Sequence, residues 1–442
     1  MQADYQQRRE TLKAKIGTGV AVFNSALRAV MHNDVEYNFR QDSDFYYLTG
    51  FNEPGAVAVF APNHSEHQFI LFVRPKDLEQ EIWSGRRVGV DAAKDLFGAD
   101  AVFPIAELDE KLPGYLETGD QIYYHLGRDE KFDQKILNHY QHLLQTLPKR
   151  GTGPVALADP TPILAPLRLI KSPSELALIT RAIEITVEAH KLAREMAKPG
   201  CYEYEIQAEM ERLFRFRGGD GPAYPSIVAS GENACILHYT ENKRQLQAGD
   251  LLLIDAGCAY RYYNADITRT FPVSGTFTDE QYILYDLVLK AQKAAIAQAR
   301  SGNTFNQVHE AAVQVIVEGL LELNLLAGDV ETLMTEGKED NKQKYRTFFM
   351  HGTSHWLGLD VHDVGLYKHN KETWVTLQPG QLLTVEPGIY IAPEAQPAEG
   401  QPSIPDKWRG LGIRIEDDVL ITTGEPNILT AAVPKEIVDI TN

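Results

Sequence analysis

The sequence predicts an α+β protein built as two domains, and three observations predict it. At 442 residues the chain is long enough for two units of about 100–200 residues, each able to bury a core. A stretch rich in Pro and Gly, KRGTGPVALADPTPILAPLRLIKSPSE, interrupts it near residue 170. Beyond that stretch, helical patterns alternate with apolar runs of strand length that suit antiparallel pairing.

Before the interruption, AVAVF (56–60) and FILFV (69–73) read as strands, and KFDQKILNHYQHLLQTL (131–147) has helical spacing. Few regular elements are expected among the prolines that follow. The domains are therefore drawn as 1–170 and 171–442. A helix start comes next: Ser172 caps, Pro173 suits the first helical position, and Glu175 completes a capping box. The helix ELALITRAIEITVEAHKLAREMA then runs to Lys198-Pro199-Gly200. Two more helices open on Thr278/Gln281 and Thr304/Gln307. The strand-like runs are DLLLIDAG, YYNADITRTFPV, QLLTVEPGIYI and GIRIEDDVLIT, and residues 392–410 read as a surface loop.

Charge and cysteine content narrow the function. Lys and Arg number 43 against 61 Asp and Glu, a net charge of −18. A chain so acidic is a poor partner for a phosphate backbone, so no nucleic acid is expected. Cys201, Cys235 and Cys258 form no CxxC pair and offer no thiolate metal site. The polar start MQADYQQRRETLKAKIG has no apolar signal region, and no run approaches membrane-span length. A cytoplasmic protein without membrane association is expected.

Acidic residues stand where strands should be apolar. Asp255 follows LLLI, Asp266 lies in YYNADITRTF, Glu386 ends LLTVE before Pro387-Gly388, and Glu416 lies in GIRIED. Asp and Glu are depleted from strands, and a buried carboxylate is costly unless paired or bound to metal. One such acid is ordinary; four beside a histidine-rich segment, MHGTSHWLGLDVHD (350–363), point to a metal site. Four carboxylates and an imidazole bring about four negative charges, which suits two divalent cations, with Mn before Zn, Co or Fe(II). Two metals roughly 3.5–4 Å apart activate water for hydrolysis. In GIRIED the period of two puts Arg414 on the face of Glu416. HGTSH has zincin spacing but lacks the Glu after its first His. Trp356 and Trp83 read as packing residues, and Tyr390 either packs or reaches the site.

The motifs SGENACILHY, LLLIDAG…NADITRTFPV, MHGTSHWLGLDVHDVG, TVEPGIYI and GIRIEDDV, in that order, resemble the pita-bread metallopeptidases: aminopeptidase P, prolidase and methionine aminopeptidase. FRQDSDFYYLTGFNEPGAVAVF and IWSGRR resemble the creatinase-type domain that precedes the catalytic one in aminopeptidase P and prolidase. The whole chain is most similar to the bacterial Xaa-Pro aminopeptidases (aminopeptidase P). The resemblance implies a C-terminal pita-bread domain behind a creatinase-like α/β domain, and a homo-oligomer, dimer or tetramer. It implies metal ligands at Asp255, Asp266, His355, Glu386 and Glu416, with Glu386 also the proton carrier. It places His238 and His362 in the substrate pocket, His351 close by, and Arg414 behind the acidic ligands or against the substrate. The implied reaction releases an N-terminal residue from a peptide with proline second, by a hydroxide bridging the metals. The alternatives are a prolidase cleaving Xaa-Pro dipeptides and a non-catalytic binding module of the same fold.

Overall fold

The computed structural model describes residues 2–338 and 342–441. Residues Met1–Arg168 and Leu169–Asn442 form two compact units.

In the first unit six strands make one sheet, in the order Ala101–Pro104, Phe69–Val73, Val57–Phe60, Val20–Asn24, Gln121–Tyr123, Ala156–Ala158. The three middle strands pair antiparallel, and the outer pairings are parallel. All five residues of FILFV are buried, which explains why this strand shows no polar alternation. The Glu130–Arg150 helix starts where the Asp129 side chain accepts from the N–H groups of Lys131 and Phe132.

Two expectations are corrected here. The proline-rich stretch holds the Ala156–Ala158 strand and the nine-residue helix Thr161–Leu169. Pro162 falls in the first turn, where an N–H has no helical partner to lose, and Pro166 gives up a single bond. Trp83 does not pack: it is 87% exposed, on a Leu78–Ser84 helix with no buried residue.

The second unit contains two helix pairs, Pro173–Met196 with Glu203–Phe216 and Asp279–Gln298 with Phe305–Glu322. The boxes at Ser172/Glu175 and Thr278/Gln281 both form, and each such cap contributes about 1 kcal/mol. At Thr304 the N–H donates to Gln307 Oε1 at 2.6 Å. The first pair leads into Ile227–Ser230, Leu251–Asp255 and Thr268–Pro272, an antiparallel ladder. The second leads into Leu382–Val385, Gly388–Ile391, Leu411–Arg414 and Asp417–Leu420, also paired antiparallel. One core joins both sets: Met210, Phe214 and Ile254 from the first, Val288, Val313, Leu383 and Ile413 from the second. Burying each such side chain contributes about 1.5–3 kcal/mol.

Candidate metal centre

The four strand acids meet because the ladders break beside them. Val385 pairs with Asp417 and Gly388 pairs with Arg414, so Glu386-Pro387 and Ile415-Glu416 face each other in the gap. Pro387 has no N–H to continue the ladder, and this break turns Glu386 out of the sheet. The sequence places these acids within strands; the structure puts Glu386 and Glu416 between strands and Asp266 just before Thr268–Pro272. Asp255 ends its strand opposite Thr268. Between Asp255 and Asp266 the chain doubles back so tightly that a Cβ on Gly257 would lie 1.7 Å from the Ala265 carbonyl oxygen. Only glycine fits that approach. The N–H of Glu416 donates to Thr268 O at 3.1 Å, which ties the fourth acid to the strand of the second.

The histidine segment runs alongside. Thr384 donates to His355 O at 2.9 Å and Glu386 to Thr353 O at 2.8 Å. His355 donates from Nδ1 to the Trp356 carbonyl at 3.0 Å. Its Nε2 therefore points at Asp266 (3.5 Å) and Glu386 (3.6 Å). A backbone carbonyl on one ring nitrogen fixes the tautomer that leaves the other free for a metal. Ligand atoms of Asp266, His355 and Glu416 lie within 4.8 Å of one another.

Arg414 brings a guanidinium in among these acids. Its Nη2 donates to Asp255 Oδ2 at 2.7 Å, its Nη1 to Tyr390 OH at 2.8 Å and its Nε to Thr268 Oγ1 at 3.2 Å. The Thr268 hydroxyl in turn donates to Glu416 Oε2 at 2.7 Å. The hydroxyl of Tyr390 reaches His351 Nε2 at 2.8 Å, while His351 Nδ1 is 2.7 Å from the Gly352 carbonyl. The carbonyl can only accept, so Nδ1 carries the proton and Tyr390 donates to Nε2. Both nitrogens of His351 are thus committed to the protein.

The electrostatics match this crowding. Burial raises Glu386 to about 7, against the pull of His355 and Arg414. Burial and the neighbouring acids raise Asp255, and lift Glu416 well above the carboxylate range. Burial alone would lower His355, but Asp266 and Glu386 outweigh it and hold the imidazole at about 9. Burial, then the Arg414 charge, lowers His351 to about 3, so it is neutral at ordinary pH. His238 and His362 are exposed, and His238 adds to the lowering of both His351 and His362 behind the larger effect of burial. The ring of His362 stands edge-on to His355, centroids 4.3 Å apart. His238, which follows an apolar run, is no core histidine.

Two neighbours were not evident from the sequence. The Tyr224 hydroxyl sits 2.7 Å from Asp255 Oδ1 and 2.5 Å from Asp266 Oδ1, bridging the two acids. Nothing in AYPS marks it, because a tyrosine's reach depends on tertiary placement. Asp418, fully buried, accepts the Asp266 N–H on Oδ2 at 3.2 Å. The doubled acid after Glu416 was its available signal.

Residues 177–423 match metallopeptidase family M24, and residues 5–123 match the aminopeptidase P N-terminal domain. The chain belongs to metallopeptidase family M24. The expected pita-bread domain behind an α/β N-terminal domain is borne out. This M24 peptidase is 43% identical over 436 residues to the Xaa-Pro aminopeptidase of Escherichia coli K12, covering 98% of this chain and 95% of that one. It is similar to the structure of Pseudomonas aeruginosa aminopeptidase PepP, with TM-score 0.92, 43% identity, and coverage of 100% and 97%. Zn-substituted E. coli aminopeptidase P in complex with product is also similar, with TM-score 0.91, 41% identity, and coverage of 100% and 97%. Among the described residues no helix is long and apolar enough to cross a membrane.

Proposed function

We infer that this M24 peptidase is an Xaa-Pro aminopeptidase that releases the N-terminal residue of a peptide with proline second. The observation that carries the reading is the meeting of four carboxylates with the Nε2 side of His355, Arg414 lying beside Asp255. The names of full-length relatives favour it over a prolidase, and the full acid set disfavours a non-catalytic module.

The site fits two divalent ions. Asp255, Glu386 and Glu416 are all raised by burial, a charge excess that cations would relieve. Asp255, Asp266, His355, Glu386 and Glu416 would hold them, with Mn(II) preferred and Zn, Co or Fe(II) the alternatives. When bound, such ions supply a water of lowered pKa and polarise the scissile carbonyl.

The chain's own residues do the rest. Glu386 takes the water's proton on its carboxylate and returns it to the proline nitrogen as that nitrogen leaves. His238 and His362, open to solvent, line the pocket and donate to the developing oxyanion. Neutral His351 and Tyr390 brace the wall behind them. Arg414 offsets part of the burial that raises Asp255 and aims its carboxylate. The scissile nitrogen is the tertiary amide of proline and offers no N–H, so selection rests on the shape of the pocket. The same reading has the enzyme act in the cytoplasm as a homo-oligomer, which sedimentation analysis tests.

The deciding experiment strips metal with a chelator, adds back Mn(II), and compares Xaa-Pro-Xaa tripeptides with Xaa-Pro dipeptides. Mn(II)-dependent cleavage that is faster on tripeptides supports the reading. Cleavage of dipeptides alone makes the protein a prolidase, and full activity without metal overturns the mechanism.

A further inference from the structure

Glu203 is the first residue of the Glu203–Phe216 helix and is completely buried. Its Oε1 accepts from the Ser230 N–H (2.7 Å), the Ser230 hydroxyl (2.7 Å) and the Asn233 amide (3.2 Å). Its Oε2 accepts from the Tyr239 hydroxyl (2.8 Å) and the Arg244 N–H (2.8 Å). The Glu203 N–H donates in return to Arg244 O at 3.0 Å. All of these partners come from one stretch, residues 230–244, and they fall on both sides of His238. Ser230 ends the Ile227–Ser230 strand, and beyond it the stretch is irregular apart from a short 3-10 turn, Gly231–Cys235, so no sheet ladder runs through His238 itself. The turn is also pressed against the Arg414 strand: a Cβ on Gly412 would lie 2.2 Å from Ala234 O.

We propose that Glu203 is a positioning residue for hydrolysis, the buried anchor that fixes the His238 loop against the metal centre. A carboxylate suits the task because it only accepts, and all five incoming groups donate. Glutamine would turn an NH2 group toward one of the two sets. Each set contains a backbone N–H that cannot rotate away, so either orientation sets donor against donor. Glu203 touches none of the five expected metal ligands in the hydrogen bonds above. Its substitution therefore acts on pocket geometry and leaves metal content alone. The inference rests on the reading of His238 as a pocket residue.

The test is a double-mutant cycle on kcat/KM for an Xaa-Pro-Xaa tripeptide, with bound metal measured by atomic emission. Glu203→Gln is expected to lower kcat/KM by about tenfold, the scale of a displaced substrate contact, at wild-type metal content. In the His238→Ala background the same substitution is expected to have no further effect, because the group it positions is gone. Losses that multiply in the double variant overturn the proposal, as does metal loss in Glu203→Gln. An unchanged rate in His238→Ala overturns it too and removes His238 from the pocket, although the peptidase reading stands while the wild-type protein cleaves. If Glu203→Gln fails to fold, Tyr239→Phe removes one of the five bonds. A few-fold loss that vanishes in the His238→Ala background supports the anchor, and a loss that persists overturns it.

Discussion

Arg414 Nη2 lies 2.7 Å from Oδ2 of Asp255, with both side chains largely withdrawn from solvent. The same guanidinium reaches Tyr390 and Thr268, so one planar group orients three partners. Lysine keeps the charge but not the fork. Arg414→Lys is expected to lower kcat/KM by about 100-fold with circular dichroism unchanged, on the scale seen when partners of metal ligands are removed. Steady-state kinetics at saturating Mn(II) measure it, and wild-type activity in the lysine variant would show that charge alone suffices.

Tyr224 shares one hydroxyl proton between Asp255 and Asp266. Phenylalanine would leave both acids short of a donor while keeping the ring's bulk. Tyr224→Phe is expected to weaken metal retention by about 10–100-fold, read by titrating Mn(II) into the chelator-stripped protein.

Asp417 is buried next to the acids of the candidate metal centre but serves a different purpose. Burial would raise its carboxyl, yet the charges of Arg269 and Lys435 and its hydrogen bonds hold it well below the usual range. A depressed folded-state pKa contributes stability above the unfolded value of about 3.9, and that stability is lost as pH falls through the folded value. Asp417→Asn should therefore lower Tm at pH 7 and flatten the fall in Tm between pH 5 and pH 2. Calorimetry across that range decides, and parallel curves for the two proteins would deny Asp417 this role.

Lys171 and Asp363 form an ion pair at 2.8 Å with both side chains 1% exposed. Asp363 follows His362, and its N–H donates to Trp356 O, so the pair anchors the loop between His355 and His362. Breaking a buried pair on one side costs about 3–5 kcal/mol, whereas replacing both partners with apolar groups is often close to neutral. Lys171→Met should show the full loss in denaturant unfolding, and Lys171→Met with Asp363→Leu should recover most of it.

Much of this was legible in the sequence because the signals were local. The Ser172 and Thr278 caps form as their spacing predicts, and FILFV is a strand over its whole length. The strand acids stood out because carboxylates are rare in apolar runs, and the period of two in GIRIED aligned Arg414 with Glu416. What stayed hidden depends on tertiary closure. Tyr224 is 31 residues from one acid it bridges and 42 from the other. The exposure of Trp83 could not be read from an apolar side chain in a short helix. The Thr161–Leu169 helix was missed because its prolines sit where a helix tolerates them.

The clamp around Asp417 also has a meaning in the order of synthesis. Arg269 donates to the Glu416 carbonyl and to the carbonyls of Val433 and Pro434, while Thr430 and Lys435 reach Asp417. Asp255 and Asp266 leave the ribosome long before residues 430–435 exist, so the scaffold under Glu416 closes only when this stretch emerges. A growing chain therefore carries most of the acids without the clamp that sets them, and hydrolytic power waits until residues 430–435 have joined it.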